Sequence, residues 1–170
     1  MGPSNPARSV PAPAPPLRSG KDVGGCRPGQ GNTMTFDPTS LPSAVVDRLT
    51  AESVVWLTTV TADGEPTPTP VWFVWAQGEV WIRSQPGAAK LDHLAAGPHV
   101  ALNLNSDYAG NEVVVLNGTG EVRDAMPDTV WDTYVAKYAR QISGLDFTPD
   151  SFADSYSVPL CVTPTRMRHW

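Results

Sequence analysis

The sequence is poor in the residues that most metal and thiol chemistry needs. It has two cysteines, Cys26 and Cys161, one in the first 33 residues and one near the C-terminus. A disulfide between them would tether a turn-rich tail to a core strand, so both are expected to be reduced thiols in a cytoplasmic protein. The three histidines, His93, His99 and His169, share no ligand spacing with one another or with a cysteine. Metal chemistry therefore has little support, and they read as helix-surface, strand-entry and terminal residues. Gly-x-Ser-x-Gly, the Walker phosphate loop, Gly-x-Gly-x-x-Gly after a strand and Cys-x-x-Cys are all missing, which argues against the common hydrolases and nucleotide folds. No apolar run resembles a signal-peptide core or reaches membrane-spanning length, so no membrane partner is expected.

What is present divides the chain in two. All 14 aromatic residues lie at Phe36 or later, whereas 7 of the 18 prolines precede Met34. Residues 1–33 carry Arg8, Arg18, Lys21 and Arg27 against Asp22, a net +3; the whole chain is −5, so residues 34–170 carry −8. Four scattered cations make no dense basic cluster, and a domain this acidic is a poor match for a nucleic-acid backbone. Residues 1–33 read as a disordered, low-complexity extension or as translated upstream sequence, with Met34 a plausible start. Residues 34–170 read as one domain, with an apolar fraction sufficient for a core.

Within that domain the hydrophobic period alternates between helix and strand. Leu41, Val45, Val46 and Leu49 recur at helical spacing behind Ser40 as N-cap, predicting a helix over 40–51. Strands are predicted over 54–61, 66–75, 79–84, 99–105, 112–123 and 156–168, with tight turns at Asp63-Gly64 and Gln77-Gly78. The prolines opening 66–75 place that end at a sheet edge or bulge. Gly118 and Gly120 suggest a bend or bulge of the kind barrel closure needs. Helices are predicted over 87–96 and 127–142, with one further turn around 151–154. Six strands, mainly antiparallel, with two or three helices make an α+β domain on a small barrel.

One stretch suits an anionic, planar ligand. Arg83 and Ser84 close a strand, a QPG turn follows, and Lys90 enters the first turns of the next helix. A hydroxyl, free helix N–H groups and a cation together favour a phosphate, although a lysine on an exposed helix face is more often simply solvated. Trp56, Trp72, Trp75 and Trp81 fall in three consecutive strands. They can serve as core bulk or as a slot for a flat ring; Trp56 fits the first role better, and for Trp72 and Trp75 the two are balanced.

The same residues carry a family resemblance. WLTTVTADGEPTPTPVWFVW (56–75), followed by EVWIRSQPGAAKLDHLAAGPHVAL (79–102), resembles the split β-barrel oxidoreductases, which include pyridoxamine 5′-phosphate oxidase and the flavin- and deazaflavin-dependent reductases. VVVLNGTGEVRD (113–124) and YSVPLCVTPTRMRHW (156–170) are similar to the actinobacterial branch linked to coenzyme F420. The resemblance implies a homodimer with cofactor at its interface, Pro70, Val71 and Trp72 lining the ring, and Arg83, Ser84 and Lys90 holding the phosphate. It implies hydride transfer between F420, or alternatively flavin mononucleotide (FMN), and a flat conjugated small molecule. Tyr108, Asp107 or solvent could supply a proton. The chain departs from the family at His93, where Asn is usual, and in offering a single Lys where oxidase members present Arg-Lys; this disfavours pyridoxamine phosphate oxidation. A non-catalytic dimer that stores or senses a flavin, haem or other planar ligand fits the same residues, as does, less well, a barrel that has lost its cofactor. Deleting residues 1–33 is expected to leave soluble yield, folding and activity unchanged, checked by comparing the thermal midpoint of the 34–170 protein with that of the full chain; loss of soluble protein would contradict it.

Overall fold

The computed structural model describes residues 34–170. A two-residue strand β1 (Met34–Thr35) and a 3-10 turn (Pro38–Ser40) lead into α1 (Ser43–Ala51). Then come β2 (Val55–Val60), β3 (Pro66–Val71), β4 (Val74–Ala76), β5 (Glu79–Ser84), α2 (Ala89–Ala96), β6 (His99–Asn103) and β7 (Val114–Val122). Two consecutive helices, α3 (Asp128–Gly144) and α4 (Pro149–Ser155), precede the long last strand β8 (Val158–His169). Every strand pair is antiparallel, in the order β3-β2-β6-β7-β8-β5-β4, with β1 added beside β8.

The class is α+β, but seven strands form the row rather than six, and there are four α-helices rather than two or three. The extra strand arises because the stretch 66–75 changes partners: β3 pairs with β2, whereas β4 pairs with β5. Thus the two end strands of the row are consecutive in the chain, joined through Trp72 and Phe73, and no ladder runs between them. The sheet curls round to meet itself at a seam closed by covalent chain. Pro66, Pro68 and Pro70 oppose Val60, Thr58 and Trp56, so their missing N–H groups fall at the outward side of an end strand, where nothing would pair with them.

At the break the backbone is served by side chains. The Phe73 N–H donates to Tyr138 Oη at 2.8 Å. The Tyr138 hydroxyl in turn lies 2.8 Å from the carbonyls of both Phe73 and Ser53, and Lys137 Nζ donates to the Phe73 carbonyl at 3.1 Å. This satisfies polar backbone that has left one ladder without joining the next, as burial requires.

Two cores result. Val55, Leu57, Val80, Ile82, Leu102, Leu116 and Leu160 fill the barrel with Phe73, capped by Leu49 of α1 and Leu94 of α2. Outside the wall, Val74, Trp81 and Cys161 pack against Val130, Tyr134, Tyr138 and Ile142 of α3 and Phe152 of α4. The β5 alternation sends Val80 and Ile82 inward and Trp81 outward, as its pattern predicts. Cys161 is fully buried, and burial together with Glu79 pushes its thiol up to about 12, so it is unreactive. Cys26 lies outside the described residues.

Local signals explain the boundaries. Gln77 and Gly78 both have positive φ, 55° and 83°, the pattern a two-residue hairpin turn demands. The expected irregularity in β7 is a register shift at Asn117/Gly118; a Cβ on Gly118 would stand 2.2 Å from the Thr163 carbonyl oxygen. Ser40 ends the 3-10 turn, which Asp37 caps, and α1 starts after Pro42 instead. Among the described residues no helix is long and apolar enough to cross a membrane. Tyr138→Phe should leave the Phe73 N–H buried without an acceptor and lower unfolding free energy by about 1–3 kcal/mol. Urea denaturation checks this, and an unchanged midpoint would show that the seam is held by other means.

Candidate functional site

Where the seam meets the outer helices there is a cavity of about 230 Å³. Its first wall is the end of β3 with the connector: Pro70, Val71 and Trp72. Its floor is the end of β5, Arg83 and Ser84, followed by the turn through Gln85 and Ala88 to Lys90 of α2. The remaining wall is Tyr134 of α3, Leu145 just beyond that helix, and Phe152 and Tyr156 at α4. All six residues singled out from the sequence thus line one cavity.

The cavity has two chemically different ends. Lys90 Nζ lies 3.5 Å from Ser84 Oγ, and Ser84 is only 2% exposed at the end of its strand. Ala88 precedes helix α2 without a side-chain cap; the Leu91 N–H donates to the Ala88 carbonyl at 2.8 Å, which leaves the N–H groups of Ala89 and Lys90 available to an acceptor. Burial holds the Lys90 ammonium below its ordinary pKa, and it does the same to the Arg83 guanidinium against an opposing effect of Tyr134. No Asp or Glu lines the cavity, and neither cation has a carboxylate partner among the described residues. Two partly desolvated cations without carboxylate counter-ions give this part of the cavity a net positive character.

Arg83 is not a loose arm. Its Nη1 donates to the carbonyls of Ala153 at 2.9 Å and Tyr156 at 3.1 Å, and its guanidinium lies 4.4 Å from the Trp131 ring centroid. These contacts tie β5 to α4. Its Nε is buried and has no partner among the described residues.

Another part of the lining is aromatic. Trp72 stacks on Tyr138 at 4.8 Å and 3°, and on Phe152 at 5.8 Å and 18°. Much of its π surface is thereby occupied within the protein. Phe152 also stacks on Tyr156 at 4.5 Å. Tyr134 is 1% exposed, and burial, reinforced by Tyr138, raises its pKa; it stays a neutral phenol.

Other candidates fall elsewhere. Trp75 packs edge-on against Phe36, Trp81 lies in the outer core, and Trp56 Nε1 donates to Asn105 Oδ1 at 3.0 Å. The four tryptophans share no common slot. Asp107 accepts from the backbone of Ala109 and Asn111 to shape its own exposed loop, where Tyr108 points into solvent; neither lines the cavity. Sequence reasoning missed Tyr134, Phe152 and Tyr156. Tyr134 falls within the helix predicted over 127–142, and nothing in the sequence says which wall that helix covers.

The architecture defines the class: a split antiparallel β-barrel with a helical pair on its outer wall. The chain belongs to the pyridoxamine 5′-phosphate oxidase family, whose model matches residues 41–170. No curated protein matches it. Among solved structures it is similar to an F420 reductase, at 24% identity over 71% of this chain and 94% of the other, TM-score 0.52. An FAD-binding protein of Mesorhizobium loti matches at 16% identity over 79% and 94%, TM-score 0.58. The heme storage protein HutZ of Vibrio cholerae matches at 14% identity over 78% and 96%, TM-score 0.54. At these identities the likeness establishes the fold.

Proposed function

We propose that this protein is an oxidoreductase that binds coenzyme F420 in the cavity and transfers hydride between it and a flat, conjugated small molecule. The observation that carries the reading is the meeting of Arg83, Ser84 and Lys90, without a carboxylate, beside Pro70, Val71 and Trp72. The donor set fits a phosphate-bearing planar group: Ser84 Oγ, Lys90 Nζ and the uncapped start of α2 suit phosphate oxygens. Arg83, whose buried Nε has no partner among the described residues, lines the same cavity. The choice of deazaflavin over FMN rests on the family resemblance and on the F420 reductase sharing the fold.

Once bound, the deazaflavin supplies the hydride chemistry. The chain's own residues hold and orient. Lys90 and Ser84 anchor the anion, the β3 end offers a flat apolar rail, and Arg83 keeps α4 and its aromatic side chains in place as a dry wall. Tyr134, held neutral, can donate a hydrogen bond but is a poor acid. This division of labour needs no catalytic triad or paired carboxylates.

The site is completed in this reading by a second copy of the chain. A cavity of about 230 Å³ is smaller than the ~300–1,000 Å³ common for ligand sites. The outer face carrying Pro66, Pro68, Pro70 and Val60 is exposed beside its mouth. A dimer formed by packing this face would enclose the ring. A non-catalytic dimer holding a planar cofactor is the second reading, since the HutZ likeness shows that the fold also occurs in a heme storage protein.

Fluorescence-quench titration with F420 and, separately, FMN tests the assignment. Saturable F420 binding is expected, weakened about tenfold or more by Lys90→Ala through loss of a charged hydrogen bond, with the thermal midpoint unchanged. FMN binding alone moves the protein to the flavin side of the family. Binding of neither, or equal affinity in the variant, contradicts the assignment.

A further inference from the structure

Helix α2 carries Lys90 into the anion end, where the half-buried Leu91 beside it packs against the barrel core. It is eight residues long, has no side-chain cap, and follows a turn in which Gly87 takes φ +72°. Two side chains tie its second half to the barrel. Leu94 packs where Gly120 leaves room, since a Cβ at that glycine would lie 3.0 Å from Leu94 Cδ2. His93, almost one turn beyond Lys90, shares a 2.8 Å hydrogen bond between its Nδ1 and Thr59 Oγ1. Thr59 is 2% exposed on the inner face of β2, so its hydroxyl needs this partner. Apart from Lys90 itself, His93 is the one residue of α2 with a side-chain hydrogen bond to a strand among the described residues. Apolar packing at Leu91 and Leu94 tolerates sliding and rotation; the His93 bond is directional and fixes both.

We infer that His93 is a positioning residue for the anion end of the cavity: by locking α2 onto Thr59 it sets Lys90 Nζ beside Ser84 and aims the first-turn N–H groups. His93 does not line the cavity, so it acts only through the helix. The inference rests on the cofactor reading above, and its signature is selectivity. Losing the bond should weaken ligands that carry a phosphate and spare the same rings without one.

The test titrates the full chain with FMN and riboflavin, and with F420 and its phosphate-free ribityl deazaflavin. His93→Ala and Thr59→Val should each weaken the phosphorylated member of a bound pair by about tenfold and change the phosphate-free member by less than about twofold, on the scale of a hydrogen bond to a charged group. His93→Asn, whose amide reaches the place of Nδ1, should restore the affinity. Thr59→Val keeps shape and bulk, so it reads the same bond should His93→Ala fail to fold. If the unaltered protein binds its phosphorylated cofactor and the variants show equal losses for both members, or none, the role of His93 is overturned and the cofactor reading stands. If the unaltered protein binds neither cofactor, both fall.

Discussion

The hydroxyl of Tyr138 holds the place where the barrel is split. It accepts from the N–H and lies 2.8 Å from the carbonyl of Phe73, on a stretch that has left β2 and not yet joined β5, and it lies 2.8 Å from the carbonyl of Ser53, just before β2. Without such a partner, that backbone would either carry unsatisfied groups in an apolar seam or stay in register with β2. Staying in register would close off the connector and remove the wall formed by Pro70, Val71 and Trp72. The seam also explains why α3 lies where it does. Tyr138 anchors it against the outer wall, and the same helix then brings Tyr134 to the cavity and stacks Trp72 in place.

From that constraint follows the asymmetry of the site. One end is built from the last residues of β5 and the first of α2, where short sequence separation puts a hydroxyl, a cation and free N–H groups together. The other end is built from non-local aromatic packing, with α4 held by Arg83 through two carbonyls. In the proposed reading, the cationic corner and the aromatic wall complement a cofactor with a phosphate and a flat ring, which would supply the chemistry.

Much of this was legible in the chain because it is local. The turn at Gln77-Gly78, the irregularity at Gly118 and the edge position of the prolines each follow from one residue's backbone limits. Arg83, Ser84 and Lys90 fall together because a strand end and the next helix start are adjacent in sequence. What could not be read is what depends on distant partners. Nothing in PTPTPVWFVW marks the switch at Trp72–Phe73, since the acceptor that permits it lies 65 residues away in α3. The aromatic wall was hidden for the same reason. His93 looked like a surface residue because Thr59, its buried partner, sits on a strand 34 residues earlier.

The most direct test of the central claim is a crystal structure of the full chain with F420, and a parallel one with FMN. The account predicts phosphate density within hydrogen-bond distance of Ser84 Oγ and Lys90 Nζ, with the ring along Pro70–Trp72 and a second copy of the chain over it. A ring bound elsewhere, or a phosphate that leaves Ser84 and Lys90 untouched, would contradict it.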